Sequence, residues 1–188
     1  MSQCRDKDED DAARPCGNFC MSTLSTMVIV TALACLCSGP VGWAAQPDQS
    51  PRIPIQPSDP WQAGDLLKPE DFARSLSVTN GEKPLLLFVG YSLPFQGGHI
   101  PGSKYIGQTS KPEGIQALVR EVQDLPRERP IVLYCGCCPW DKCPNIRPAF
   151  RTVHDLGFNS LKVLYLPNKF QQDWTARGFP TEKGDGTK

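Results

Sequence analysis

The chain has 188 residues, with 20 Lys+Arg balanced by 20 Asp+Glu, and it carries 9 Cys, 19 Pro and 16 Gly. Zero formal net charge argues against an electrostatic nucleic-acid binder, and no nucleic-acid partner is expected. An apolar share of 39% is enough to build one core at this length. No run of about 20 apolar residues escapes Gly, Pro or Ser, which excludes a multi-span membrane protein.

The cysteines divide the chain. Five lie in residues 1–45 (Cys4, Cys16, Cys20, Cys35, Cys37), and the other four fall between Cys135 and Cys143. No charged residue occurs from Pro15 to Pro47. Within that stretch Met27 to Cys37 is an apolar run of 11 residues, followed by Ser-Gly-Pro and then Gly42-Trp43-Ala44-Ala45. A short apolar run, a helix breaker and small residues are the layout of a secretory signal peptide. Residues 1–45 are therefore expected to be a leader, with Met21 as an alternative start, and the mature protein to be exported, periplasmic or secreted. A membrane is then met only through the leader, if it stays uncleaved. Residues 46–60 hold Pro47, Pro51, Pro54, Pro57 and Pro60 and read as an extended linker. The folded domain is expected over residues 61–180, with a disordered tail over 181–188.

Inside 61–180, Leu66 to Leu76 reads as a short helix. Leu85 to Val89 reads as a strand buried on both faces. Pro112 to Leu125 repeats Ile115, Leu118, Val119 and Val122 at helical spacing. Ile131 to Tyr134 is a second apolar strand. Asn145 to Leu156 is a helix with Ile146, Ala149, Phe150 and Val153 inward and Gly157 as its stop. Leu161 to Leu166 is a third strand, and Asn168 is expected to cap a last helix carrying Phe170 and Trp174. Strands alternating with helices give an α/β fold with an open parallel sheet flanked by helices, as a single domain.

Ligands of open parallel sheets bind beyond the carboxyl ends of the strands. The segment from Cys135 to Asn145 fills that place, between an apolar strand and the next helix. Backbone N–H groups at a helix start favour an anion, and a thiolate is one. Cys135 is thus the candidate nucleophile, with its pKa expected below the free value of about 8.5. The rest of the candidate loop is Gly136, Cys137, Cys138, Trp140, Lys142 and Cys143, with Arg147 beyond it. Lys142 and Arg147 are placed to attract an anion, and Trp140 to wall the pocket. His99 reads as a turn residue bonded to backbone and His154 as a surface residue.

Gly98-His99-Ile100-Pro101-Gly102-Ser103, followed about 30 residues later by Ile131-Val132-Leu133-Tyr134-Cys135, resembles the rhodanese (sulfurtransferase) domain family. Leu156-Gly157-Phe158, Val163 to Leu166 and Trp174 fit the same pattern, so the resemblance covers roughly residues 61–180. It implies a rhodanese-like fold and a sulfurtransferase or persulfide carrier. In such a protein the Cys135 thiolate takes sulfane sulfur from a donor such as thiosulfate and passes it to a thiol or cyanide. No cofactor is implied. Three departures stand out. Nine residues, Gly136 to Pro144, separate Cys135 from Asn145, where the family has about five. Cys137, Cys138 and Cys143 are extra. Charged positions of the family, including an acidic residue ahead of the turn, are replaced by Phe88-Val89-Gly90 and Pro94-Phe95.

The extra thiols leave two alternatives open. Cys143 could pair with Cys137 or Cys138 in a thiol–disulfide redox protein, leaving Cys135 free. Alternatively Cys135, Cys137, Cys138 and Cys143 could hold Zn²⁺ or Cu(I) as a non-enzymatic metal module.

Overall fold

The computed structural model describes residues 53–78 and 82–184. The expected leader, 1–45, and the start of the Pro-rich stretch lie outside the described residues.

Five parallel strands form one sheet in the order β1-β5-β4-β2-β3. They are β1 (Leu66–Leu67), β2 (Leu85–Phe88), β3 (Lys104–Tyr105), β4 (Ile131–Tyr134) and β5 (Leu161–Leu164). The three apolar runs become the three inner strands because each carries side chains buried on both faces. The two edges are only two residues long, which leaves little unpaired backbone. In register, β4 places Leu133 beside Leu87 on one side and Val163 on the other.

Helices cover both faces. On one face α3 (Pro112–Val122) and α4 (Ile146–Asp155) bury Leu118, Val122, Ile146, Ala149, Phe150 and Val153. These pack against Leu87, Ile131, Leu133 and Val163. On the other face α1 (Pro69–Leu76), α2 (Ser92–Gly97) and α5 (Phe170–Asp173) bring Phe72, Phe95, Phe170 and Trp174 onto Leu86, Phe88, Val132 and Tyr134. The strand pleat sends alternate residues to opposite faces. On β4, Ile131 and Leu133 therefore point to α3 and α4, and Val132 and Tyr134 to the opposite layer. Among the described residues, no helix is long and apolar enough to cross a membrane.

Several expected boundaries move. Leu66 and Leu67 do not begin a helix. Lys68 is extended ahead of Pro69, and the two leucines pair with Val163 and Leu164 instead. Asn168 does not cap α5, whose N-cap is Lys169. Asn168 instead gives its backbone and side-chain N–H groups to the Asp173 carboxylate, at 2.6 and 2.8 Å. The end of the expected linker lies on the domain: Ile53 packs against the core, and Asp59 pairs with Arg147. The tail is ordered at least as far as Gly184. Glu182 forms an antiparallel bridge with His99, and its carboxylate accepts the N–H of Gly102 at 3.1 Å. The turn is thus tied to the far end of the domain by a carboxylate.

That turn is tied to β4. The Tyr134 hydroxyl donates to Ser103 Oγ at 2.8 Å and accepts the Ile100 N–H at 3.2 Å, all three groups being buried. Burial pushes the Tyr134 pKa far up, so the phenol stays a donor at neutral pH. Tyr134→Phe removes one hydroxyl and strands two buried polar groups. The expected loss of unfolding free energy is about 1–3 kcal/mol, read by urea denaturation. An unchanged midpoint would show that the turn is held by other contacts.

Candidate functional site

Cys135 follows β4 directly and continues its pleat, so its side chain joins Ile131 and Leu133 on the α3/α4 face. It is 4% exposed. Gly90, after β2, lets it sit there: a Cβ at Gly90 would lie 2.9 Å from the Phe88 ring and 3.1 Å from Cys135 Sγ. The chain then turns at Gly136, with φ +76°, a conformation that suits glycine. A Cβ at Gly136 would come within 2.8 Å of Phe170 Cβ and 2.9 Å of its nitrogen. The Gly136 carbonyl accepts the Phe170 N–H at 2.9 Å, which pins the loop to α5.

The loop folds back over its own start and gathers the thiols. Cys135 Sγ lies 3.0 Å from Cys137 Sγ, and Cys137 Sγ lies 3.6 Å from Cys138 Sγ. All four cysteines from 135 to 143 are free thiols. Cys143, after the short 3-10 turn Trp140–Lys142, is buried and borders the same small cavity as Cys135 and Cys138. The nearest sulfur pair is thus Cys135 with Cys137, not Cys143 with Cys137 or Cys138. Cys137 and Cys138 are the half-exposed members. Sulfurs of Cys135, Cys137 and Cys138 all lie within 4.8 Å of one another, a set able to hold a thiophilic metal ion.

Asn145 closes the loop. It is fully buried, and its Nδ2 lies 4.0 Å from both Cys135 Sγ and Cys137 Sγ. Its Oδ1 accepts the Ser110 N–H at 3.0 Å, and its carbonyl accepts the Thr109 hydroxyl at 2.6 Å. No charge marks this residue in the sequence. Its only signal there is its place at the foot of a helix after four cysteines.

Cys135 was expected to be the thiolate stabilised by helix amides. Instead, hydrogen bonds with Cys137, Cys138 and Cys143, together with burial, push its pKa well up. Cys143 is held down, first by the thiols of Cys135 and Cys137 and then by the backbone N–H groups of Asn145 and Ile146. Those amides at the start of α4 face Cys143, because the nine-residue loop delivers that sulfur to the helix and leaves Cys135 under it. Cys138 is also held down, first by its hydrogen bond with Cys135, so ionisation is favoured at Cys143 and Cys138 rather than at Cys135.

The other loop residues divide by contact. Trp140 is buried, with its ring 4.9 Å from Tyr165 and 5.0 Å from Trp61. It lines, with Cys135, Cys138, Cys143, Leu164 and Leu166, a cavity of about 10 Å³. That is room for about one water molecule. Thiosulfate, several times larger, does not fit beside Cys135 in this arrangement. Larger hollows of about 510 and 540 Å³ are lined by other residues and contain no cysteine.

Arg147 does not face the sulfurs. Its guanidinium pairs with buried Asp59 at 2.7 Å, donates to the Trp140 and Cys143 carbonyls, and lies 5.4 Å from the Trp61 ring centroid. It staples the loop to the segment before the domain. Lys142 and Asp141 are exposed on the outer side of the 3-10 turn. His99 is fully buried and stacked on Phe95, between the Phe95 carbonyl and Glu182. His154 is exposed beside Asp155. The structure therefore brings together Cys135, Gly136, Cys137, Cys138, Trp140 and Cys143, and leaves Lys142 and Arg147 outside.

Among solved structures, that of the Alr3790 protein from Anabaena sp. shares 21% identity and a TM-score of 0.47, over 62% of this chain and 82% of that one. A rhodanese-like domain protein from Staphylococcus aureus shares 13% identity and a TM-score of 0.37, over 61% of this chain and 95% of that one. No curated protein gives a significant match. The family model described as Rhodanese-like domain matches residues 73–164, from the middle of α1 to the end of β5. Over that span, which holds four of the five strands of the parallel sheet, the chain is similar to the rhodanese-like domain family.

Proposed function

We propose that this protein is a sulfurtransferase or persulfide carrier in which Cys135 bears the sulfane sulfur. The observation that carries the reading is the position of Cys135. It ends the central strand of a rhodanese-like sheet, where parallel sheets present reactive groups, and its sulfur points at a second thiol 3.0 Å away. The family chemistry uses a donor such as thiosulfate and a thiol or cyanide acceptor. Attack of Cys135 on the donor's sulfane sulfur forms a persulfide and releases the rest of the donor as sulfite. The proton of Cys135 must leave in that step, and it passes to solvent by way of the half-exposed thiols beside it.

The neighbouring thiols extend this to a relay. The hydrogen bond with Cys135 lowers the Cys137 pKa, but contact with Cys143 and burial outweigh it and push the thiol up to about 12, so Cys137 reacts as a thiol. It attacks the outer sulfur of the Cys135 persulfide and passes its proton to Cys135 Sγ, 3.0 Å away. A new sulfur–sulfur bond forms on Cys137, the old one breaks, and Cys135 departs as a thiol. Sulfur thus moves outward from a buried residue to a half-exposed one with no net oxidation. The tight cavity favours this short hand-over, and it requires the loop to open for the incoming donor.

The same reading places the mature protein outside the cytosol, supported by the apolar Met27–Cys37 run and the small residues that end near Ala45. N-terminal sequencing of native protein is expected to start near Ala45 or Gln46. A mature chain that retains Cys4 to Cys20 would overturn export by a cleaved leader.

Sulfur loading tests the central assignment. Reduced protein exposed to thiosulfate or a polysulfide is expected to gain the mass of one sulfur in intact-mass spectra. Cys135→Ser abolishes that gain. Cys143→Ser still loads but slows with the loss of its anionic sulfur. If Cys135→Ser loads normally and Cys138→Ser does not, the nucleophile is Cys138. If wild type loads from no donor, the sulfur-transfer reading falls.

A further inference from the structure

Three of the four sulfurs are gathered more tightly than a single nucleophile requires. Cys135, Cys137 and Cys138 Sγ lie within 4.8 Å of one another, with the two nearest separations at 3.0 and 3.6 Å. A metal–thiolate bond of about 2.3 Å sets ligand sulfurs about 3.8 Å apart in a tetrahedron and about 4.0 Å apart in a trigonal plane. The 3.0 and 3.6 Å separations fall short of those spacings by about an ångström or less, so these sulfurs need only part slightly to hold an ion. The spacing C-x-C-C-x₄-C is unlike the paired knuckles of structural zinc sites, and only folding brings the sulfurs together.

We infer that Cys135, Cys137 and Cys138 bind a single soft d¹⁰ cation, Cu(I) or Zn²⁺. The donor set is all sulfur, which selects soft ions over Mg²⁺ or Ca²⁺. The cavity beside it is lined by Trp140, Ile146, Leu164 and Leu166, with no carboxylate or imidazole among its lining residues. Cys137 and Cys138 are half-exposed and give the ion a way in, while Cys135 is its buried end. The Asn145 amide lies 4.0 Å from the sulfurs of Cys135 and Cys137 and orients both, as outer-shell donors do around metal thiolates. Binding forms sulfur–metal bonds in place of S–H bonds, releases the thiol protons to solvent and changes no oxidation state. The trio alone makes the trigonal set that suits Cu(I). Zn²⁺ needs a fourth ligand, and Cys143, outside the trio but bordering the same cavity, is the sulfur the loop can bring to it. Because Cys135 serves both roles, a bound ion and a persulfide exclude each other. The metal site nevertheless stands on sulfur geometry and does not rest on sulfur transfer.

The test is an anaerobic titration of reduced, metal-free full-length protein with Cu(I) against a chromophoric Cu(I) chelator. A parallel titration uses Zn²⁺ and a zinc indicator. One equivalent of at least one of the two ions is expected to bind. Cys137→Ser and Cys138→Ser each weaken it by more than about 100-fold, and Asn145→Ala by about 10-fold, the scale of an outer-shell loss. Cys143→Ser separates the two ions: Cu(I) affinity stays within a few-fold, whereas zinc affinity collapses. Should Cys137→Ser fail to fold by circular dichroism, the half-exposed Cys138→Ser carries the test. Binding of neither ion, or binding unchanged in Cys137→Ser and Cys138→Ser, overturns the inference. A protein that binds the ion but never loads sulfur upholds this site while rejecting sulfur transfer.

Discussion

The pleat of one strand governs the site. Alternation along β4 sends Ile131, Leu133 and then Cys135 toward α3 and α4, and Val132 and Tyr134 toward the opposite layer. A slip of one residue would bury Tyr134 among the sulfurs and send the thiol against α5. Register is fixed because all four residues of β4 are buried, all four pair with β2, and the first three also pair with β5. The Tyr134 hydroxyl, clamped to the His99–Ser103 turn, adds a side-chain lock immediately before the reactive residue.

The long loop then decides what surrounds Cys135. A short loop would cradle its sulfur with backbone amides. Here nine residues let the chain pass over Cys135, place Cys137 and Cys138 beside it, and bring Cys143 to the first amides of α4. Anion stabilisation and nucleophile position, joined on one residue in the expectation from the sequence, fall on two residues instead. Arg147 and Asp59 hold the loop from outside, so the guanidinium that touches the loop is structural. The small cavity follows from the same packing, since Trp140 fills space that a substrate would need.

Much of this was legible in the residues. LLLF, IVLY and LKVL carry no alternation, so they had to be buried on both faces, and they form the three inner strands. The Ile115, Leu118, Val122 spacing and the Ile146, Ala149, Phe150, Val153 spacing gave α3 and α4 to within a few residues. The edge strands β1 and β3 were missed because two residues have no period to read. The contact of Glu182 with His99 joins residues 83 apart and leaves no local signal. Asn145 was seen as the foot of a helix but not as the donor to two sulfurs, since that role depends on how the loop closes. The charge shift from Cys135 to Cys143 is likewise a matter of which sulfur reaches the helix, which spacing alone does not determine.

Sulfur and soft metal make related demands on such a cluster: both need thiolates shielded from water and approachable from one side. Half-exposed Cys138 and buried Cys135 meet those demands at opposite ends of the trio. The most direct measurement is a high-resolution crystal structure of the protein after anaerobic treatment with polysulfide. Extra density for one atom bonded to Cys135 Sγ, within the small space between Trp140, Leu164 and Leu166, is the expected result. Extra sulfur bonded only to Cys138 or Cys143, with Cys135 unmodified under an unchanged loop, would contradict sulfur transfer through the end of β4.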